Sequence, residues 1–305
     1  MADEKWFVII NPTSGNGKAK KLWPKIKSLL ELNDFSFEFA FTESAEHNVK
    51  LVYNSVNQGF KNFICVGGDG TIHNTVNGII TQNRFESKEL SLGVIPVGTG
   101  NDWIKTHNIP RDVEQAILTI KNGETALQDV GKIEFLSVQR DPVFFNNLAG
   151  VGFDGYVVSK VGKYKHLGSA SYLIGALMGL FSFKNFKVEI EANNEIIKTS
   201  SLMVLVGLCQ YSGGGMQLTD YSNYNNSFFD ITIAKQFSKL DVLLNTHKLY
   251  NGMIKSYRKV ENLSSDQVII RIPQGLKPFI QADGELIGMG DIKVSLIPSA
   301  LSFYK

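Results

Sequence analysis

Two stretches of this chain pair conformationally free backbone with a carboxylate, a combination that suits phosphate and divalent-metal chemistry. Gly67-Gly68-Asp69-Gly70-Thr71 follows an apolar run and precedes a helical pattern. Its glycines let the backbone turn sharply and let a ligand approach the peptide groups closely. Thr71 can cap the helix, whose free N–H groups and positive dipole end favour a phosphate. Asp69 would repel a bare phosphate, a conflict that disappears if it faces a magnesium ion carried by a nucleotide or orients water around that ion. A plain glycine-rich turn with Asp69 as a capping residue is the competing explanation. Pro96-Val97-Gly98-Thr99-Gly100-Asn101-Asp102 repeats the design after a second apolar run, with a hydroxyl at Thr99 and a polar pair at Asn101 and Asp102. Two such loops ending neighbouring strands are harder to attribute to chance than either alone. A third loop, Asn11-Pro12-Thr13-Ser14-Gly15-Asn16-Gly17, has amides that could also cradle phosphate, with Lys18 and Lys20 close by. None has the P-loop spacing or the dinucleotide fingerprint.

The elements that must position these loops alternate. Trp6 to Ile10, Asn62 to Val66 and Leu90 to Val97 are apolar runs expected of strands buried on both faces, and Phe35 to Phe41 alternates as a strand. Lys18 to Leu32, Glu43 to Asn57 and Thr71 to Thr81 carry helical spacing. Such alternation predicts parallel strands joined by right-handed crossovers, an α/β sheet whose ligands bind where loops leave the carboxyl ends of the strands. After about residue 129 strand-like segments dominate: Val130 to Val138, Val143 to Leu148, Lys187 to Ile190, Leu202 to Leu208, Phe228 to Ala234, Gln267 to Ile272 and Lys293 to Ile297. With turn signals between them and a helix over roughly Ala170 to Phe181, they predict a second, mostly antiparallel β-rich domain. The expected division is 1–129 and 130–305, with the last residues able to pack back on the first domain.

Bulk properties narrow the function classes. The 305 residues allow two cores, and 20% charged with 43% hydrophobic residues is ordinary for a soluble globular chain. A net charge of +2 is too small for a typical nucleic-acid binder, so no nucleic-acid partner is expected. Cys65 and Cys209 sit in apolar runs and read as small buried hydrophobes, which fits a reducing compartment and a cytoplasmic location. The first apolar run is too short for a leader, and nothing approaches the roughly 20 apolar residues of a spanning helix.

Asn11-Pro-x-Ser-Gly15, Gly67-Gly-Asp-Gly-Thr71 and Val97-Gly-Thr-Gly-Asn-Asp102 together resemble the catalytic-domain motifs of the diacylglycerol/sphingosine/ceramide kinase superfamily, and most resemble its small soluble bacterial lipid kinases. Phe145-Asn-Asn-Leu-Ala-Gly-Val-Gly-Phe-Asp154, Gly213-Gly-Gly-Met216 and Ala282-Asp-Gly-Glu285 are similar to that family's second-domain motifs, in order and approximate spacing. The Gly-Gly-Asp-Gly loop alone is shared with NAD kinases and, more remotely, phosphofructokinases. The resemblance implies a NAD-kinase/diacylglycerol-kinase-like parallel α/β domain, a β-rich substrate domain and an active site in the interdomain cleft. It implies ATP-dependent transfer of a γ-phosphate to a lipid hydroxyl, on diacylglycerol or a related lipid alcohol, within phospholipid metabolism. Asn11, Pro12, Thr13, Ser14, Gly15, Thr42, Gly67, Gly68, Asp69, Gly70, Thr71, Asn74, Gly98, Thr99, Gly100, Asn101 and Asp102 would line the nucleotide site. Asp69, Asp102 and Asp129 would bind magnesium, partly through water.

Asp283 and Glu285 are the catalytic candidates that the resemblance implies, with Glu285 taking the proton from the acceptor hydroxyl. Burial and neighbouring carboxylates would raise its pKa toward a useful value. Asp-Gly between strand-like runs is also the strongest short hairpin signal, and such a turn could present Glu285. One departure stands out: Asn226-Ser227 occupies the place of the family's Asp-Gly pair, which puts its structural magnesium site in doubt, with Asp220 or Asp230 as candidates to compensate. The apolar stretch 170–183, flanked by Lys160, Lys163, Lys165, His166, Lys184 and Lys187, could touch a membrane transiently at its inner face, though a core helix is the commoner fate of such a stretch. His73 is expected to be structural. A soluble acceptor and a non-catalytic nucleotide-binding regulator are the alternatives, and the acceptor lipid, nucleotide preference and oligomeric state, a homodimer included, stay open.

Overall fold

Branched and aromatic residues build the first strands as expected. β1 (Lys5–Ile10), α1 (Ser14–Leu32), β2 (Ser36–Phe41), α2 (Ala45–Asn57), β3 (Asn62–Gly67), α3 (Asp69–Thr81), β4 (Ser91–Pro96), α4 (Asp102–Thr106) and α5 (Val113–Asn122) follow one another. The structure is a computed structural model that describes residues 5–161, 184–219, 225–273 and 277–305. It forms two compact units, Met1–Gln128 with Ser299–Lys305, and Asp129–Pro298.

In the first unit the strands are parallel in the order β2-β1-β3-β4, and Ser302 and Phe303 pair in parallel with Ser91 and Leu92 of β4. After β2 the chain must cross to the other side of β1 to lay down β3. The loops leaving β1 and β3 therefore diverge at a topological switch point, where an open α/β sheet has room for a ligand. Side chains alternate across the strands. Trp6, Val8, Ile10, Ile64, Val66 and Ile95 pack with Trp23, Ile26 and Leu30 of α1 and Ile117 and Ile120 of α5. Cys65, on the opposite face, is buried, and burial pushes its thiol up to about 12, so it stays an inert apolar group.

One local detail differs from the expectation and a second agrees with it. The capping position of α3 is Gly68, not Thr71, so the helix begins at Asp69, and Thr71 lies within its first turn. Gly15, Asn16 and Gly17 have left-handed φ of 59°, 57° and 82°, so regular helix in α1 starts at Lys18. Also beyond the sequence expectation, α5 is bounded by Asp112, whose carboxylate accepts from the Glu114 and Gln115 amides, and by Gly123 at φ 75°.

The second unit is antiparallel. Its elements are β5 (Thr125–Phe135), whose first residues belong to the other unit, β6 (Val143–Phe145), β7 (Leu148–Gly152), α6 (Phe153–Val161), β8 (Phe186–Ala192) and β9 (Glu195–Gly207). There follow β10 (Tyr211–Ser212), β11 (Met216–Gln217), β12 (Phe229–Lys235), α7 (Lys239–Asn245), two short 3-10 turns, β13 (Val260–Ser265), β14 (Gln267–Arg271), β15 (Phe279–Ala282), β16 (Glu285–Met289) and β17 (Ile292–Tyr304). The main order is β16-β15-β7-β9-β8-β14-β17, with β12 joining β9 to β13. The long β9 serves three neighbours: β8 along its first half, β7 along its second and β12 opposite. The helix expected over 170–181, the basic residues at 163, 165 and 166, and Asp220 lie outside the described residues. Among the described residues no helix is long and apolar enough to cross a membrane.

Helices α2 and α3 pack through Gly78, where a Cβ would stand 2.7 Å from the Cβ of Val52. Replacing a mid-helix glycine by alanine ordinarily gains about 0.5–1 kcal/mol. Overpacking at this distance costs about 1–3 kcal/mol, which outweighs the gain. Gly78→Ala should therefore lower stability in urea unfolding, and combining it with Val52→Ala, which removes the methyls that would stand 2.9 and 3.1 Å away, should cost less than the sum of the two single changes.

Candidate active site

The three glycine loops of the first unit meet at the carboxyl ends of β1, β3 and β4. Val97 and Gly98 donate their amides to the Gly67 carbonyl at 2.8 and 3.0 Å, and the Asn11 amide reaches Val66 O at 3.1 Å. Two glycines lie backbone to backbone, since a Cβ on Gly98 would be 2.4 Å from Gly68 Cα, and one on Gly68 would be 2.9 Å from Gly98 Cα. Gly15, at φ 59°, has the same reason to lack a side chain, its Cβ position being 2.3 Å from Val97 O. Asn11 ties the first loop to the second: its Nδ2 donates to Thr71 Oγ1 at 3.1 Å, and its Oδ1 accepts from the Thr13 amide and hydroxyl. The Ser14 hydroxyl stands 3.5 Å from that of Thr71. Asn74 folds back on Gly70 O at 2.8 Å, the Thr42 amide donates to Ile10 O, and Thr99 is exposed at the tip of its loop.

Asp69 joins the second and third loops. Its Oδ2 accepts the Asp102 amide at 3.1 Å and its Oδ1 the Trp103 amide at 3.2 Å, so it caps the start of α4. Trp103 is anchored in turn by its Nε1 donating to Gln128 Oε1 at 2.8 Å and by ring contacts with His107 and Phe303. His107 is buried, which holds its imidazole down at about 3 and hence neutral. A Cβ on Gly100 would stand 3.1 Å from Asp69 Oδ2 and 3.9 Å from Asp102 Oδ2, so one carboxylate oxygen of each residue lies beside this glycine. Asn101, in the left-handed region at φ 53°, adds a buried Oδ1 without a hydrogen-bond partner. Two neighbouring carboxylates suit magnesium, which takes one or two protein carboxylates plus phosphate oxygens and waters. Among the described residues no three His, Cys, Asp or Glu side chains stand close enough to hold a metal by themselves. Asp129 belongs to the second unit, where its Oδ2 accepts the Ser227 amide at 2.9 Å.

In the second unit the Asp283-Gly284 pair makes the hairpin turn joining β15 to β16, with φ of 50° and 82°. The Asp283 carboxylate is taken up by three backbone donors, Asn146 N at 3.1 Å, Asn147 N at 2.9 Å and Leu148 N at 3.0 Å. These amides occupy the break between β6 and β7, which the sequence showed as one continuous run. Gln281 steadies the turn from inside, its Oε1 accepting the Gly284 amide at 2.8 Å and its Nε2 donating to Asp154 Oδ2 at 2.9 Å. Glu285, half-buried at the head of β16, has no such partner among the described residues.

Three supporting residues escaped the sequence, and a fourth, Asp154, stood there only as the end of a motif. Arg111 donates to Gly100 O at 3.1 Å and Asn48 to Thr71 O at 3.2 Å, while Gln281 and Asp154 brace the turn. Asp112 and Gly123 signal α5 locally, but nothing local marks Arg111 or Asn48 as a loop partner. His73 is buried on α3, as expected.

Family models match this architecture along nearly all of the chain. Residues 5–133 match the diacylglycerol kinase catalytic domain, and residues 147–305 match the YegS C-terminal NAD kinase β-sandwich-like domain. A diacylglycerol kinase of Bacillus subtilis is 27% identical over 289 residues, covering 92% of this chain and 90% of that protein. One from Staphylococcus epidermidis is 29% identical, covering 75% and 70%. The crystal structure of a diacylglycerol kinase from Bacillus anthracis superposes with a TM-score of 0.73 over 99% of this chain and 97% of that one, at 19% identity, a likeness of fold.

Asp154 gives the site a pH signature. Burial raises its carboxyl to about 6, against the lowering effect of the Gln281 side chain and the Gly155 amide. The folded chain thus keeps the Asp154 proton above pH 3.8, where the unfolded chain loses it. The charged form is a cost that is absent at low pH and complete above about pH 6. Asp154→Asn should match wild-type stability near pH 4 and exceed it near pH 7 by on the order of 1–3 kcal/mol, compared by urea unfolding at the two pH values. An equal difference at both would show that the group's charge is not what costs stability.

Proposed function

We propose, for a chain that belongs to the family of diacylglycerol kinases with a YegS-type second domain, that it transfers the γ-phosphoryl group of ATP to the hydroxyl of diacylglycerol or a related lipid alcohol. Phosphotransferases of this family take an alcohol group as acceptor. The observation that carries the proposal is the joining of the three glycine loops at the switch point by Asn11, Asp69 and the Gly68–Gly98 approach.

In this proposal Asn11, Pro12, Thr13, Ser14, Gly15, Thr42, Gly67, Gly68, Gly70, Thr71, Asn74, Gly98, Thr99, Gly100 and Asn101 cradle the nucleotide. Bare glycine amides and the start of α3 meet the phosphates. Asp69 and Asp102, with Asp129, are the carboxylates that would hold magnesium, which supplies neutralisation of phosphate charge. Glu285 accepts the proton of the acceptor hydroxyl. Asp283 acts by holding the turn that presents Glu285, since its own oxygens are committed to three amides. Phosphoryl transfer needs positioning and charge compensation more than covalent participation, and this division of labour provides both.

The test is magnesium-dependent transfer of labelled γ-phosphate from ATP to a panel of lipids in mixed micelles. Wild type should label a lipid alcohol. Glu285→Gln should cut the rate by about 10²–10⁴-fold, the range for losing a general base. Asp69→Ala should abolish transfer. Labelling of a water-soluble alcohol alone would point to a soluble acceptor, and ATP binding without any product would point to a regulator.

A further inference from the structure

Helix α7 carries its apolar stripe on the outside. Leu240, Leu243 and Leu244 lie at helical spacing on one face, and Leu240 and Leu244 are 67% and 71% exposed. The opposite face is the one that packs, through Val242 and the buried Asn245. The two 3-10 turns that follow continue the arrangement. Leu249 and Ile254 anchor them in the same core as Val242, beside Phe153, Val157 and Phe237, while Tyr250 and Met253 stay exposed. Three consecutive elements rooted in one core thus turn five large apolar side chains away from it. An amphipathic helix in a water-facing position shows the reverse orientation, and large apolar side chains gathered on the surface in this way mark an interaction site.

Charge identifies the partner. From residue 235 to 259 the cations are Lys235, Lys239, Lys248, Lys255, Arg258 and Lys259 and the one carboxylate is Asp241; Lys235 pairs with Glu261 of β13 and Lys259 with Asp241, so the excess charge is carried by Lys239, Lys248, Lys255 and Arg258. That carboxylate faces inward to the fold's own donors, Lys259 Nζ at 2.5 Å, Ser238 Oγ at 2.6 Å and Tyr257 Oη at 2.6 Å. Lys248 lies over the Tyr257 ring, and partial burial lowers the pKa of Lys255. Apolar side chains rimmed by ammonium groups fit the interface of an anionic bilayer, where the first enter the acyl boundary and the second meet the headgroups. A second copy of this chain fits less well, because a two-fold contact would set the same cationic rim against itself.

We infer that α7 and the two turns after it, through Leu240, Leu243, Leu244, Tyr250 and Met253, form the surface by which this protein docks on anionic membranes. The inference rests on the lipid-alcohol reading for its purpose, but its test does not depend on turnover. Full-length protein is sedimented with phosphatidylcholine vesicles with and without phosphatidylglycerol. Wild type should bind the anionic vesicles, less so at high salt, and Leu240→Glu/Leu244→Glu should weaken that binding by at least about tenfold. ATP binding by the same variant should be unchanged, which shows that it is folded. Leu244→Trp, which keeps the surface apolar, should keep binding and shift its fluorescence to the blue on anionic vesicles.

Wild type that ignores anionic vesicles, or a glutamate variant that binds as wild type does, overturns the docking surface. So does a variant that changes only from dimer to monomer by light scattering, which would make the patch a contact between copies. If vesicle binding is lost as expected while wild type labels no lipid in micelles, the surface stands and the choice of acceptor is what fails.

Discussion

The approach of two backbones, Gly68 against Gly98, is the constraint on which the first unit's site depends. Strands β3 and β4 pair in register to Gly67 and Pro96, so their loops leave the sheet at the same level and compete for the same space. Any side chain at either glycine would push them apart, since each Cβ position falls within 3 Å of the other residue's Cα. Once the loops touch, Asp69 can reach the amides of Asp102 and Trp103 with two charge-assisted hydrogen bonds across the loops. These bonds fix α4, and α4 fixes Asp102. Close packing of bare backbone and the placing of carboxylates at a phosphate-type loop are therefore one structural event.

The second unit uses a carboxylate in a related way. Asp283 gathers three amides from a segment about 136 residues earlier in the chain and so ties the hairpin to the break between β6 and β7. Removing that acceptor would strand buried donors at about 1–3 kcal/mol each. In both units an aspartate is committed to backbone and its loop is held rigid. The Glu285 side chain, next to this turn, has no hydrogen-bond partner among the described residues. Asp154 has the opposite economy. Its buried charge costs stability near neutral pH, and what it provides is the orientation of Gln281 under the turn.

What the sequence made legible follows from how many reasons a residue type can have. Glycine with a neighbouring carboxylate has few, so the loops at 67–71 and 97–102 declared themselves, as did the parallel α/β and antiparallel β-rich classes. The capping position was misplaced because Gly68, extended at φ −124° and ψ −168°, starts the helix without a side chain to signal it. The run 143–148 read as one strand because the break at Asn146 and Asn147 is held by distant partners, Asp283 accepting their amides and Leu208 and Cys209 donating to Asn147 O. In α7 the periodicity of Leu240, Leu243 and Leu244 is that of any core helix. Only the packing of Val242 and Asn245 shows which side is in.

The family's Asp-Gly pair and its replacement here illustrate how a turn can outlast its usual residues. Ser227 sits at φ 65°, the region that favours glycine, at a cost of about 1–2 kcal/mol for a side-chain-bearing residue. Two contacts offset that cost: Asn226 Oδ1 accepts the Phe228 amide at 3.1 Å, and Asp129 Oδ2 accepts the Ser227 amide at 2.9 Å. Asparagine supplies the same turn-forming oxygen as aspartate but no charge. Protein hydrogen bonds maintain this turn, and Asn226 brings no negative charge to offer a cation. A substitution that weakens the case for a structural metal at this turn thus leaves the turn itself in place.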